Sequence, residues 1–278
     1  MRGDDMEKGV MNRRSNSRSC LQSIDYILPS QKRSQITIFV IVASIIVVSV
    51  IIIFLLIKGP EVRVLDENNP QAFIESCTRE AVEEAIEILS KQGGDIKPKG
   101  SLNYEDEEIA YLCYNINFYE RCVNQRPLLI EHIENEITEF IKPKVGNCFF
   151  NLESNLRGRY EIETGEMELR TVLQPKTVIV EIDKGFKMTR NEEVRDFEGF
   201  KMSKVHPIYD LAEIGMKIVN QESKYCNFDE LGHMILYPEY DIKKFILGDA
   251  NLVYRVSERG TGEEFNFAIR SCALPAGY

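Results

Sequence analysis

Residues 36–57 run for twenty-two positions without a charge, and eighteen of them are Ile, Val, Leu or Phe. Only Thr37, Ala43, Ser44 and Ser49 interrupt the run. As an α-helix it would extend about 33 Å at ~1.5 Å per residue, close to the hydrocarbon thickness of a bilayer. Each large apolar residue contributes roughly −0.3 to −0.6 kcal/mol to insertion, so the segment gains on the order of −5 to −10 kcal/mol. No polar residue within it offsets that. A buried core helix would be shorter and would carry a polar stripe. The run is therefore expected to form one transmembrane helix, residues 34–58, with the lipid bilayer as its partner through residues 36–57.

Charge sets the expected orientation. Ahead of the run lie seven basic residues (Arg2, Lys8, Arg13, Arg14, Arg18, Lys32, Arg33) and four acidic ones (Asp4, Asp5, Glu7, Asp25). Behind it, Lys58, Glu61, Arg63, Asp66 and Glu67 are nearly balanced. The positive-inside rule places the N-terminus in the cytoplasm and the rest of the chain outside. From Lys58 onward there are 27 Lys and Arg against 40 Asp and Glu, a net charge near −13. So acidic a domain is poorly suited to nucleic acid, and no nucleic-acid partner is expected. Cysteine usage agrees with export. Cys20 alone precedes the run, and Cys77, Cys113, Cys122, Cys148, Cys226 and Cys272 follow it. An even number on the oxidising side reads as a disulfide framework. No CxxC or Cys/His pair has ligand spacing, so neither a metal nor a cofactor is expected.

Residues 1–33 are polar and without periodicity, which predicts a disordered cytoplasmic tail. Lys58-Gly59-Pro60 stops the helix and opens a linker, residues 59–69. From Pro70 onward, Phe73, Ile74, Cys77, Ala81, Ala85, Ile88 and Leu89 recur at three- and four-residue steps, a helix that ends at Gly93-Gly94. A second helix is expected from Pro127, with Leu129, Ile133, Ile137, Phe140 and Ile141 inward, and Pro143 should kink or break it. Cys77 and Cys148 fall on the apolar faces of this helical pair and are expected to bond. Cys113 and Cys122 are expected to close a ten-residue loop, a link that stabilises by roughly 2.5–3 kcal/mol in the chain-entropy picture.

After Asn155 the period changes to two. Tyr160 and Ile162, the turn 163–166, then Met167 and Leu169 read as a hairpin. Strands are expected at 177–182 and around Phe186 and Met188, then a helix over 207–221 with Ile208, Leu211, Ala212, Gly215 and Ile218 on one side. Further strands follow at 242–247, 252–257 and 264–270, the last two joined by Arg259-Gly260-Thr261-Gly262. Cys226 and Cys272 form the third expected pair. The expected architecture is α+β: a transmembrane helix, then a disulfide-bonded extracytoplasmic domain. Its first part, 70–155, would be a helical pair, and its second, 156–278, antiparallel and β-rich.

The junction Lys32-Arg33-Ser34-Gln35-Ile36-Thr37-Ile38-Phe39 resembles the class III (type IV prepilin-like) signal of archaeal pilins. There, a basic site with a small residue precedes glutamine and the hydrophobic helix, and a membrane peptidase cuts on the cytoplasmic side. The resemblance, about twenty-five residues long, implies a cut between Ser34 and Gln35. Ser34 stands where glycine is commoner, and Gly59-Pro60 interrupts a helix that pilins continue into the head. The other reading of the same residues is an uncut signal anchor. The wider layout resembles single-span membrane-anchored proteins of small-genome (DPANN-type) archaea. It does so through Gln35-Ile36-Thr37-Ile38-Phe39, Phe73-Ile74-Glu75-Ser76-Cys77, Lys91-Gln92-Gly93-Gly94 and Phe265-Asn266-Phe267-Ala268. This resemblance implies membrane anchoring and attaches no activity.

Reaction chemistry has few candidates. His132, His206 and His233 are scattered, and none lies in HExxH. His132 reads as a surface residue of a charged helix, His206 before Pro207 as a helix-start cap, and His233 as part of a short helix or turn. Glu105-Asp106-Glu107-Glu108 lacks the alternating ligands of a calcium loop and reads as a solvated turn. No catalytic residue is expected. The leading expectation is a non-enzymatic surface protein whose outer domain binds another protein or an envelope component. The alternatives are a pilin-like subunit and an extracytoplasmic enzyme with carboxylates drawn from distant segments.

Overall fold

A computed structural model of the chain describes residues 39–50, 69–117 and 119–272. The chain divides into two compact units, Met1–Val62 and Arg63–Tyr278. In the first, residues 39–50 are helical (α1) with exposed apolar side chains. Among the described residues no helix is long and apolar enough to cross a membrane. Ser34, Gln35, the tail and the remainder of the apolar run lie outside the described residues.

In the second unit, α2 (Pro70–Lys91) forms as its apolar spacing predicts. Asn69 caps it, its side chain accepting from the Ala72 N–H at 3.0 Å, and Pro70 supplies a preset φ at the first turn. Gly93 and Gly94 then take φ of 73° and 91°, and the Gly94 N–H closes on the Leu89 carbonyl at 2.9 Å. At Gly94 a Cβ would come within 3.1 Å of Ile133, so this turn also sets how closely the next helix approaches.

Three strands follow where a helical pair alone was expected: β1 (Ser101–Tyr104), β2 (Glu107–Tyr114) and β3 (Val123–Asn124). Glu105 and Asp106, at φ 53° and 67°, make the tight turn between β1 and β2, so the acidic stretch is a hairpin turn whose Glu107 and Glu108 begin β2. Next comes α3 (Leu129–Leu156), which runs unbroken through Pro143. The expected break fails because the buried stripe stays in phase across the proline. Ile133, Ile137 and Ile141 continue into Val145, Cys148, Phe149, Leu152 and Leu156, all buried. Burying that many large side chains outweighs the ~3 kcal/mol a helix-interior proline costs.

Beyond α3 lie β4 (Glu161–Thr164), β5 (Glu168–Gln174), β6 (Thr177–Arg190) and β7 (Glu193–Val205). The expected β4–β5 hairpin does not form. Both strands pair with β6 instead, β4 against 186–189 and β5 against 177–183. The Gly165 N–H bonds to the Gly185 carbonyl at 2.9 Å where the two meet, so 165–167 is a break in one long edge and 163–164 stay in β4. The true reversals are Pro175-Lys176, with Lys176 at positive φ, which turns β5 into β6, and Asn191-Glu192, both at positive φ, which turns β6 into β7. Then come α4 (Ile208–Tyr225), α5 (Glu230–Leu236), β8 (Tyr240–Ile246), β9 (Asn251–Glu258) and β10 (Glu264–Arg270).

Two sheets result. The smaller is antiparallel, with β6 between β7 on one side and β4 and β5 on the other. The larger runs β1-β2-β10-β9-β8, with β3 also on β2. Its β2–β10 pair is parallel, so the larger sheet is mixed. Strands from 70–155 and strands from the end of the chain therefore share one sheet. Helix α4 lies on that sheet because Gly215 has no side chain. A Cβ there would come within 3.3 Å of the Phe265 ring and 3.4 Å of Phe267. Across the smaller sheet, Phe149 of α3 meets Phe200 edge-on at 5.1 Å.

All three expected disulfides are present. Cys77–Cys148 ties α2 to α3, Cys113–Cys122 closes the loop after β2, and Cys226–Cys272 ties the end of α4 to the residue after Ser271, with Cα separations of 6.2, 5.4 and 5.7 Å.

Candidate functional site

The loop closed by Cys113–Cys122 is held at its base from several directions. Both cysteines are buried. The Asn115 amide donates to the Glu120 carbonyl at 2.8 Å and to the Ser271 carbonyl at 3.0 Å. Arg270 donates to the Tyr114 hydroxyl at 3.1 Å and to the Asn115 carbonyl at 3.2 Å. The last strand of the fold thus braces a loop that leaves the sheet some 150 residues earlier. Above this base Ile116 and Tyr119 stand 81% and 80% exposed, with Val123 and Leu128 also exposed beside them in sequence.

Against the loop lies a cleft of about 340 Å³, lined by Lys99, Ser101, Tyr111, Tyr114, Gln125 and Arg126 among others. The Tyr111 and Tyr114 rings meet edge-on at 5.0 Å. Tyr111 donates to Asn251 at 2.9 Å, and burial raises its phenol above the usual value. No acidic side chain lines this cleft, although the domain around it is strongly acidic.

Arg126 connects the cleft to a polar cluster behind it. Its guanidinium lies 3.2 Å from Asp95, whose other oxygen is 2.5 Å from His132 Nε2. Glu136, one turn along α3 from His132, accepts the Ile96 N–H at 2.8 Å. Asp95, His132 and Glu136 each offer a ligand atom, and these atoms lie within 4.8 Å of one another. His132 is therefore a bonded, half-buried residue and not the free surface residue its charged helix suggests.

Two further buried groups went unnoticed or half-noticed in the sequence. Glu222, fully buried in α4, accepts from Tyr254 at 2.5 Å, Lys244 at 3.1 Å and Ser271 at 2.9 Å. Burial, then the bond to Glu222, pushes the Tyr254 phenol far above its usual value. The signal was present, since Glu222 falls four residues beyond Ile218 on the apolar stripe, one position past the expected helix end. His206 does cap α4, with Nδ1 accepting the Ile208 N–H at 3.1 Å. Its Nε2 faces Glu263 at 3.3 Å, and burial lowers its pKa against the pull of Glu263 and Glu258, with Lys204 adding to the lowering.

His206 and Ser90 line one cleft of about 510 Å³ between α2 and the β9–β10 turn. Both imidazole nitrogens are already engaged, so His206 is not placed to take a proton from Ser90. What the structure gathers instead is a covalently closed loop with Ile116 and Tyr119 exposed, beside an aromatic cleft that carries cations, an arrangement that can bind. The chain matches no protein-family profile, no curated protein and no solved structure.

Proposed function

We propose that the chain is a single-pass membrane protein holding its second unit outside the cytoplasm as a contact domain, with loop 113–122 and the adjoining cleft as its binding surface. The exposure of Ile116 and Tyr119 on a covalently closed, braced loop carries this reading. Large apolar side chains held out in water by a rigid support cost solvation in the free protein. That cost is recovered when a partner covers them. The disulfide and the Asn115 and Arg270 bonds hold the base of the loop, which lowers the ordering entropy lost on binding. Tyr and Arg, both present here, are the side chains that most often dominate such contacts. The apolar run 36–57, the basic residues ahead of it and the even cysteine count behind it support the membrane anchoring and the outward orientation.

The test compares the wild-type protein with an Ile116→Asp/Tyr119→Ser double variant in pull-downs from solubilised membranes of the source cells. Both side chains are exposed, so the variant should keep the wild-type melting temperature. We expect it to lose a partner that the wild type recovers, by about tenfold or more. Equal recovery by both proteins, or no specific partner with either, removes the assignment.

A further inference from the structure

We propose that Asp95, His132 and Glu136 form a binding site for a divalent transition-metal ion of the zinc or manganese kind. Helix α3 supplies two of the ligands. Its i, i+4 spacing puts His132 and Glu136 on one face, a turn apart. The Gly93-Gly94 reversal after α2 supplies the third by carrying Asp95 back against that face. The sequence separates Asp95 from His132 by 37 residues, and only this turn unites them.

Each carboxylate is held from outside in the manner of a metal ligand. Arg126 Nη2 donates to Asp95 Oδ2 at 3.2 Å and to Oδ1 at 3.4 Å, with Oδ1 also turned to His132, and the Ile96 N–H holds Glu136 at Oε2, leaving its other oxygen free of that bond. Such outer partners orient ligating carboxylates and keep them from collapsing onto other donors. Asp95 Oδ1 and His132 Nε2 lie 2.5 Å apart, so the turn and the helix aim two ligand atoms at the same point. Bonds of about 2.0–2.2 Å to such an ion place neighbouring ligand atoms roughly 3.0 Å apart in an octahedral shell and roughly 3.4 Å apart in a tetrahedral one. The Asp95–His132 pair would open by about half to one ångström and Glu136 would close in from within 4.8 Å, changes within reach of side-chain torsions. Asp95 is buried, while the His132 side chain is 26% exposed, which gives the ion a way in and leaves room for water to complete its shell. Two carboxylates against one guanidinium leave the site a single negative charge when His132 is neutral. That favours a dication, and Arg126 keeps the affinity moderate.

The test uses the full-length protein, stripped with chelator and titrated calorimetrically with Zn²⁺ and Mn²⁺ at neutral pH. Co²⁺ serves as an absorbing probe, and a Cys20→Ser background removes the one unpaired cysteine as a competing ligand. We expect one ion per chain, a raised melting temperature, and loss of about tenfold or more in affinity with either His132→Gln or Glu136→Gln. Both variants keep a polar side chain at a partly exposed position, and the apo melting temperature checks that they fold. Absence of a one-to-one isotherm with any of the three ions overturns the site. So does unchanged binding by both variants, and so does Mg²⁺ binding as tightly as Zn²⁺, which would mark plain electrostatic attraction without the imidazole.

Discussion

The His206 ring accepts the Ile208 N–H through Nδ1 and donates toward Glu263 through Nε2, which only the neutral imidazole can do. A proton on Nδ1 would remove the acceptor that caps α4 and would charge a buried ring. Burial accordingly lowers its folded-state pKa below the 6.5 it has when unfolded. The unfolded chain then binds more protons than the folded one in that window, so stability rises with pH through it. The contribution is complete above about pH 6.5–7 and is lost as pH falls through the folded value. Urea midpoints measured from about pH 7 down to about pH 5 should fall, and His206→Gln should flatten the decline. Some slope should persist, because burial and Lys217 lower His233 in the same direction. An unaltered slope in the variant would show that this ring does not govern it. Glu222 tests a different force. Glu222→Gln replaces an acceptor oxygen with an amide donor facing Tyr254, Lys244 and Ser271, all of which are donors there. The loss should be roughly 3 kcal/mol or more, read as a lower urea midpoint with an unchanged m-value. A change below about 0.5 kcal/mol would mean that the network rearranges freely.

Elements became legible in the sequence where one local rule governed them. Asn69, Pro70 and Gly93-Gly94 bracket α2 with a cap, a preset φ and a positive φ, each written in a residue type. Helix α4 shows as an apolar stripe, and β9 and β10 show as strands joined by a glycine turn. Cys77–Cys148 followed from two apolar helix faces, Cys113–Cys122 from the short loop between them, and Cys226–Cys272 was the third pair. What stayed hidden depended on partners far along the chain. Strand β2 finds its parallel neighbour in β10, about 150 residues later, and its run Ile109-Ala110-Tyr111-Leu112 has no alternation because pairing and packing enclose it. Strands β4 and β5 looked like a hairpin because their spacing suits one. They are separated by the greater reach of β6, whose fourteen residues pair with both. Pro143 does not break α3 because helix propensity is a local quantity and the stripe that overrides it is not. The site divides the same way. Cysteine spacing marked loop 113–122, but periodicity speaks only of regular elements and could not show that Ile116 and Tyr119 face water. Asp95 and His132 meet through a turn whose geometry, unlike its glycines, is not written in sequence.

At the scale of the whole molecule, export, disulfide bonding and the fate of the tail are linked through one cysteine. Cys20 lies before the apolar run and before the Ser34-Gln35 junction, while the other six are paired in the second unit. An anchored, uncut chain with that unit outside should therefore carry one reactive thiol and six bonded ones. Cleavage at Ser34-Gln35 would remove Cys20 with the tail and leave none. A unit facing the reducing cytoplasm would leave several thiols open to reagent. Intact-mass measurement after alkylation of membranes without reductant separates the three cases in one experiment. We expect a full-length chain with a single adduct, and a gain of six hydrogens once reductant is added to a parallel sample. A chain that starts at Gln35 and takes up no reagent would instead support a pilin-like subunit, released from its leader while the outer unit stays oxidised. Two or more adducts before reduction would place the second unit on the wrong side of the membrane for the contact role proposed above. The braced loop would then lack the bond that holds Ile116 and Tyr119 out toward a partner.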